Sequence, residues 1–202
     1  MVTGTYRPEL ARESAGLSGR IEGYDAARAL AIFGMIVVNF KIVMGSGASG
    51  PRWLVALAGL FEGRAAALFV LLAGVGLSLL ARRALLAGPG PERRRARSRV
   101  WRRALALLVA GLLLTPIWPA DILHFYGLYL ALGGAMLFAS DRALLLAAAG
   151  LLAGFAVLFG LFDYGAGWNW ATLEYGDLWT GRGIVRNLLF NGFHPLFPWG
   201  AF

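Results

Sequence analysis

The chain has no cysteine, only two histidines and few charges for its 202 residues. The missing cysteine excludes disulfides, thiolate nucleophiles and cysteine-ligated zinc or iron–sulfur centres. Two histidines are too few for a histidine-based metal site without carboxylate help, so no metal is expected. No HExxH, P-loop or GxSxG sequence occurs, which leaves metalloprotease, nucleotide-hydrolase and serine-hydrolase chemistry without its usual groups. Charged residues make up 15% of the chain and hydrophobic residues 58%, and the mean hydropathy is +0.65. Soluble domains run at ~45–50% apolar and ~25% charged. A soluble domain could not hide this much apolar surface, so the bilayer must serve as solvent.

The net charge of +8 raises the question of nucleic acid, but nine of the nineteen basic residues lie between Arg82 and Arg103. That is a juxtamembrane cluster of the positive-inside kind, and no nucleic-acid partner is expected. Residues 1–20 are polar, without an apolar signal segment, and read as a disordered cytoplasmic tail. Residues 21–202 read as an all-α, polytopic helical bundle. Its spans are expected at about 24–44, 65–81, 104–117, 121–139, 143–162 and 186–202, with a flexible loop at 45–52 and an interfacial or re-entrant piece at 53–60. Residues 82–103 read as a basic cytoplasmic loop that touches anionic lipid or attracts an anionic nucleotide cofactor. The polar stretch 163–185, with Tyr164, Trp168, Trp170 and Tyr175, reads as an outer loop with an aromatic belt, or as a lid or acceptor surface. With the amino terminus inside, the cytoplasmic segments and Arg28 hold fourteen of the nineteen basic residues. The expected location is therefore the inner (plasma) membrane, with multiple passes and a cytoplasmic N-terminus.

The polar residues inside this apolar chain are the candidate chemistry. Asp25 and Arg28 share a face of the first span at i, i+3. They form either a cap with a snorkelling arginine or a charged pair that holds a phosphate. Asp121 can cap the fourth span, with His124 one turn on. They are either a cap with an interfacial histidine or an Asp–His pair at the mouth of a bundle. The last stretch, Phe190 to Trp199, carries Asn191, His194, Pro195 and Pro198 in an apolar run. Pro195 biases His194 away from helical dihedrals, which predicts a broken, cavity-lining segment. The run ends at Phe202, short of the roughly 20 apolar residues of a full span, so the sixth span is expected to be truncated and the chain an N-terminal fragment.

Histidine is the natural base at neutral pH. His194 could act as nucleophile or base, with Asn191 donating to a developing oxyanion, and Asp121 could orient His124. Two function classes fit. One is a transmembrane group-transfer enzyme with polar groups at two levels. The other is a transporter or channel for a small solute. In a purely structural protein the histidines would only satisfy neighbouring helices.

Four segments carry a family resemblance. Arg20-Ile-Glu-Gly-Tyr-Asp25-Ala-Ala-Arg28-Ala-Leu-Ala-Ile-Phe-Gly34-Met-Ile-Val-Val-Asn39 resembles the opening motif of the heparan-alpha-glucosaminide N-acetyltransferase catalytic-domain family and related bacterial membrane families. Gly63 to Gly76 resembles their second span, and Asp121-Ile-Leu-His-Phe-Tyr126 their fourth. Asn191-Gly-Phe-His194-Pro-Leu-Phe-Pro-Trp199 resembles a later motif of the bacterial members. The resemblance covers about residues 20–202. It implies a polytopic acyltransferase of ten or so helices that takes acetyl-CoA, or another acyl-CoA, from the cytoplasm. The acceptor would be an extracytoplasmic glycan or small molecule, and Asp25 and Arg28 would match the family's Asp-x-x-Arg. Two departures stand out. Ala29 replaces the family's glycine after Arg28. The stretch Ala58 to Gly63 lacks the histidine that the animal enzymes carry there, so His194 or His124 must substitute in any acyl transfer.

Overall fold

The structure, a computed structural model, describes residues 22–44 and 50–202. The expected tail at 1–20 and most of the loop at 45–52 lie outside them. Helix α1 runs Glu22–Val43, with Glu22 and Asp25 in its first turn and Lys41 in its last. Each charge complements the nearer end of the helix dipole. Helix α2, Arg52–Phe61, follows Pro51 and stops at Glu62. Gly63 then takes a left-handed φ of +68°, which costs least at glycine, and the chain turns into α3, Arg64–Leu86. Lys41 forms an ion pair with Glu62 at this corner, and the Tyr24 hydroxyl donates to the Leu72 carbonyl. These two contacts clamp α1 along α3. The short α2 covers the piece expected at 53–60 and is helical.

Gly88 and Gly90 carry positive φ and end α3. Pro91 opens α4, Pro91–Leu114, where proline is preorganised and its missing N–H would be unpaired anyway. The expected basic loop at 82–103 is therefore mostly helix: α3 continues through Arg82 and Arg83, and α4 contains Arg93 to Arg103. Arginine is a good helix former. Its clustering reports the side of the membrane, not the backbone conformation.

Helix α5, Leu123–Ala135, folds back on α4, and these two pack most closely. Ala81, Ala84, Ala96, Val100, Ala104 and Leu130 form the core beneath them. At Gly127 a Cβ would meet the Leu108 amide nitrogen and sit 2.7 Å from the Ala104 carbonyl oxygen. Backbone atoms cannot step aside as a side-chain tip can. Gly127→Ala is expected to lower stability by about 1–3 kcal/mol, read as a lower thermal midpoint by circular dichroism of the full chain in detergent.

Helix α6, Asp141–Leu161, starts at Ser140, whose hydroxyl accepts from the Ala143 amide. None of its residues is buried, so it presents Leu, Phe and Val outward nearly all round. A two-residue hairpin follows, β1 (Trp168–Asn169) paired antiparallel with β2 (Glu174–Tyr175). The C-terminal part is α7, Gly181–Arg186, a π-helical turn at Asn187–Asn191, an irregular stretch and α8, Leu196–Trp199. The expected sixth span at 186–202 is thus not one helix. Residues before proline are driven from helical dihedrals, and His194 and Phe197 both precede one. Phe197 sits at φ −92°, ψ 116°.

The all-α class stands, and two stretches, Arg52–Leu86 and Asp141–Leu161, are long and apolar enough to cross a bilayer. The six spans are not reproduced one for one. Helix α5 has 13 residues, or ~20 Å at 1.5 Å per residue, against a hydrocarbon core of about 30 Å.

Candidate functional site

The α4–α5 reversal builds the first part of the site. The Trp118 amide donates to the Leu114 carbonyl as α4 ends, and the chain reaches Asp121 within one further turn. Asp121 Oδ2 accepts from the amides of Leu123 at 2.9 Å and His124 at 3.3 Å. It also meets His124 Nδ1 at 3.1 Å. The carboxylate therefore satisfies the start of α5 and orients the imidazole together. Asp121 and His124 are 5% and 2% exposed. Gly111 makes this possible: a Cβ there would strike the His124 backbone and lie 2.7 Å from Asp121 Oδ2. An ionised carboxylate can only accept, so toward an ionised Asp121 it is Nδ1 that donates.

His194 lies against the same cluster. Phe125 packs on His124 with ring centroids 4.0 Å apart and meets His194 edge-on at 6.2 Å. Trp199 closes on His194 at 4.9 Å, and the His194 carbonyl accepts from the Tyr129 hydroxyl. His194 Nδ1 is buried without a hydrogen-bond partner. A buried ring nitrogen without a partner is costly and marks a place where a ligand or water is accommodated. The structure thus brings Asp121, His124 and His194 together around one phenyl ring.

Asn191 has a different job. It is fully buried, and both amide hydrogens are engaged, by the carbonyls of Tyr164 at 2.9 Å and Ala166 at 2.8 Å. Its Oδ1 accepts from the Tyr175 hydroxyl at 2.7 Å, and its carbonyl from the Trp168 indole. No amide hydrogen remains for an oxyanion in this arrangement; the carboxamide fastens the outer loop. Arg186 extends the network, with Nε donating to the Tyr175 hydroxyl at 2.6 Å and Nη2 to Asp177 Oδ1 at 2.6 Å. Burial raises the Tyr175 phenol above its ordinary value against the pull of Arg186, so it stays protonated and keeps donating. Trp168 and Trp170 stack at 4.5 Å above Phe193, giving the loop an aromatic surface.

Arg28 lies elsewhere, with its guanidinium 4.5 Å from the Tyr24 ring centroid. With Arg83 and Arg103 it lines a cavity of about 750 Å³ that extends past Leu107 and Phe69 to Tyr126. Asp25 is half-buried and has an interaction of its own. Tyr126 is two residues beyond His124 on α5, ~3 Å along the axis. The cavity therefore runs from an arginine-lined end to the level of the Asp121–His124 pair, but at ~100° per residue Tyr126 and His124 lie on different faces of α5, and the pair does not line it.

Sequence reasoning missed three participants. Arg83 and Arg103 were indistinguishable from the other arginines of the basic cluster. The wall they share with Arg28 is built by α1, α3 and α4 together. Asn187 is buried, and its Oδ1 has no partner. The π-helical turn that begins at Asn187 is the kind of irregularity that gathers at functional sites, but it has no sequence signature.

Comparison with curated proteins and with solved structures gives no match. Comparison with family models gives heparan-alpha-glucosaminide N-acetyltransferase, catalytic, over residues 20–202. That span includes every helix described above, the Asp121–His124 pair, His194 and the arginine-lined cavity. The chain belongs to the heparan-alpha-glucosaminide N-acetyltransferase catalytic family.

Proposed function

We propose that this protein is a membrane acyltransferase that moves an acyl group from acyl-CoA to a hydroxyl or amine on the opposite side of the bilayer. One observation carries this reading: a carboxylate-oriented histidine sits two residues along α5 from Tyr126, which walls an arginine-lined, largely apolar cavity. The arginine end faces the cytoplasm of a multi-pass inner-membrane protein, in line with the positive-inside asymmetry. Arg28, Arg83 and Arg103 suit the phosphates of the donor, since guanidinium groups bind phosphate through paired hydrogen bonds. The apolar length toward Tyr126 suits the donor's thin arm and brings its thioester toward His124. Acetyl is the simplest acyl group consistent with the family.

His124 Nε2 takes the proton from the acceptor as the acceptor's oxygen or nitrogen attacks the thioester carbonyl. The carbon–sulfur bond breaks, and the proton returns to the departing thiolate. Asp121 holds the imidazole in the required tautomer and stabilises the imidazolium. His194, with an unpartnered Nδ1 in the same cluster, faces the reacting groups. The Trp168–Trp170 surface suits a sugar or another small acceptor, and Asn191 positions that loop.

The test is coenzyme A release from acetyl-CoA by the purified full-length protein, with candidate sugar amines and alcohols as acceptors. Acceptor-dependent release supports the enzyme. Solute flux through proteoliposomes without such turnover would identify a transporter instead. Arg103→Gln is expected to raise the donor KM roughly tenfold with little change in kcat, as for a lost charge-assisted contact made equally in ground and transition states.

A further inference from the structure

We propose that the first turns of α4 form a binding site for the phosphate of an anionic phospholipid, separate from the donor cavity. A cleft of about 550 Å³ is lined there by Arg93, Arg94, Arg97, Ser98, Trp101 and Phe138. Arg93 and Arg97 lie one turn apart, with guanidinium carbons 5.6 Å and 5.5 Å from the Phe138 ring centroid. The ring fixes both cations by cation–π attraction but gives them no anion. Arg93 Nε is buried without a hydrogen-bond partner. The acidic residue of the first turn, Glu92, is held by Arg95 at 2.5 Å.

This arrangement is unfavourable without an anion. The start of a helix carries positive dipole charge, and basic side chains there raise the local potential. A phosphate among Arg93, Arg94, Arg97 and the Ser98 hydroxyl neutralises it with charge-assisted hydrogen bonds.

The same helix face says why the phosphate belongs to a lipid. Arg93, Arg97, Trp101, Leu105 and Val109 follow one another at i, i+4, so they share one stripe of α4. Trp101, Leu105 and Val109 are 46%, 62% and 48% exposed. The stripe passes from guanidinium through an interfacial tryptophan to an uncovered aliphatic ridge. A headgroup at its start has acyl chains that lie along its continuation, and tryptophan favours the level between them. A free phosphate would leave that ridge unused. Val100, Arg103 and Leu107, which line the donor cavity, lie ~100° or more around α4 from Trp101, Leu105 and Val109.

The test is native mass spectrometry of the full chain in detergent, titrated with phosphatidylglycerol, with phosphatidylcholine and with glycerol 3-phosphate. Phosphatidylglycerol is expected to bind at least tenfold tighter than phosphatidylcholine. Arg93→Gln with Arg97→Gln should weaken it roughly thirtyfold, while Arg99→Gln with Arg102→Gln, which removes equal charge, should change it by less than about threefold. Equal losses from the two pairs would overturn the site. Displacement of phosphatidylglycerol by an equimolar amount of glycerol 3-phosphate would overturn the lipid assignment. Trp101→Phe gives an independent reading without removing a charge. Dibrominated phosphatidylglycerol should quench the tryptophan emission of the native chain more than that of the variant, and equal fractional quenching would refute the proposal.

Discussion

Replacing His124 with alanine should lower acyl transfer by roughly 10²–10⁴-fold, the usual worth of a positioned acid–base group. Asp121 would then be a buried carboxylate without its imidazole, though it would keep the amides of Leu123 and His124. Misfolding also abolishes activity, so the companion variant is His124→Gln, whose side chain can still bond to the carboxylate but cannot exchange a proton at neutral pH. It should retain the folding stability to within about 1 kcal/mol and lose turnover nearly as fully as alanine. Turnover by His124→Gln above a tenth of the native rate would remove His124 from the chemistry. His194→Ala separates the two imidazoles: a merely packing role for His194 leaves kcat near native.

The second large effect concerns Asn191. Asn191→Leu keeps the volume but deletes three side-chain hydrogen bonds, to Tyr164, Ala166 and Tyr175. Each net bond contributes about 1 kcal/mol, and each partner left buried and unsatisfied costs ~1–3 kcal/mol. A total loss on the order of 4 kcal/mol follows, because the exposed half of the loop can recover partners from water. Hydrogen exchange should show the loss first in residues 163–177, with the α4–α5 hairpin still protected. Uniform loss of protection across the chain would contradict a local fastening role. Tyr175→Phe removes one of the three bonds and should cost about 1 kcal/mol.

Much of this site was legible because it is local. Asp121 and His124 are three residues apart, so helix periodicity alone puts them on one face, and aspartate is a preferred group at a helix start. The break around His194 was legible for the same reason, since each proline constrains its immediate predecessor. Asn191 was not. Its partners lie 16 to 27 residues upstream, and nothing in a carboxamide's neighbours says whether it faces a substrate or a loop carbonyl. Arg83 and Arg103 were hidden by abundance, because a wall shared by α1, α3 and α4 selects them from a run of equivalents. The basic segment was misread as a loop because charge density and backbone state are independent properties. Of the six expected spans, the structure has two stretches long and apolar enough to cross a bilayer among the described residues; at 186–202 the prolines divide the run into short pieces.

The double duty of Asp121 has a further consequence. The carboxylate that accepts from the first amides of α5 is the same one that accepts from the imidazole. The helix therefore cannot be completed in this geometry without also choosing which ring nitrogen is protonated. The proton inventory is written when the chain folds, before donor or acceptor arrives. An enzyme built this way needs no reorientation of dipoles at the moment of transfer. It also couples inheritance of shape to inheritance of chemistry: a change that frays the first turn of α5 scrambles the tautomer, even when Asp121 and His124 are both retained.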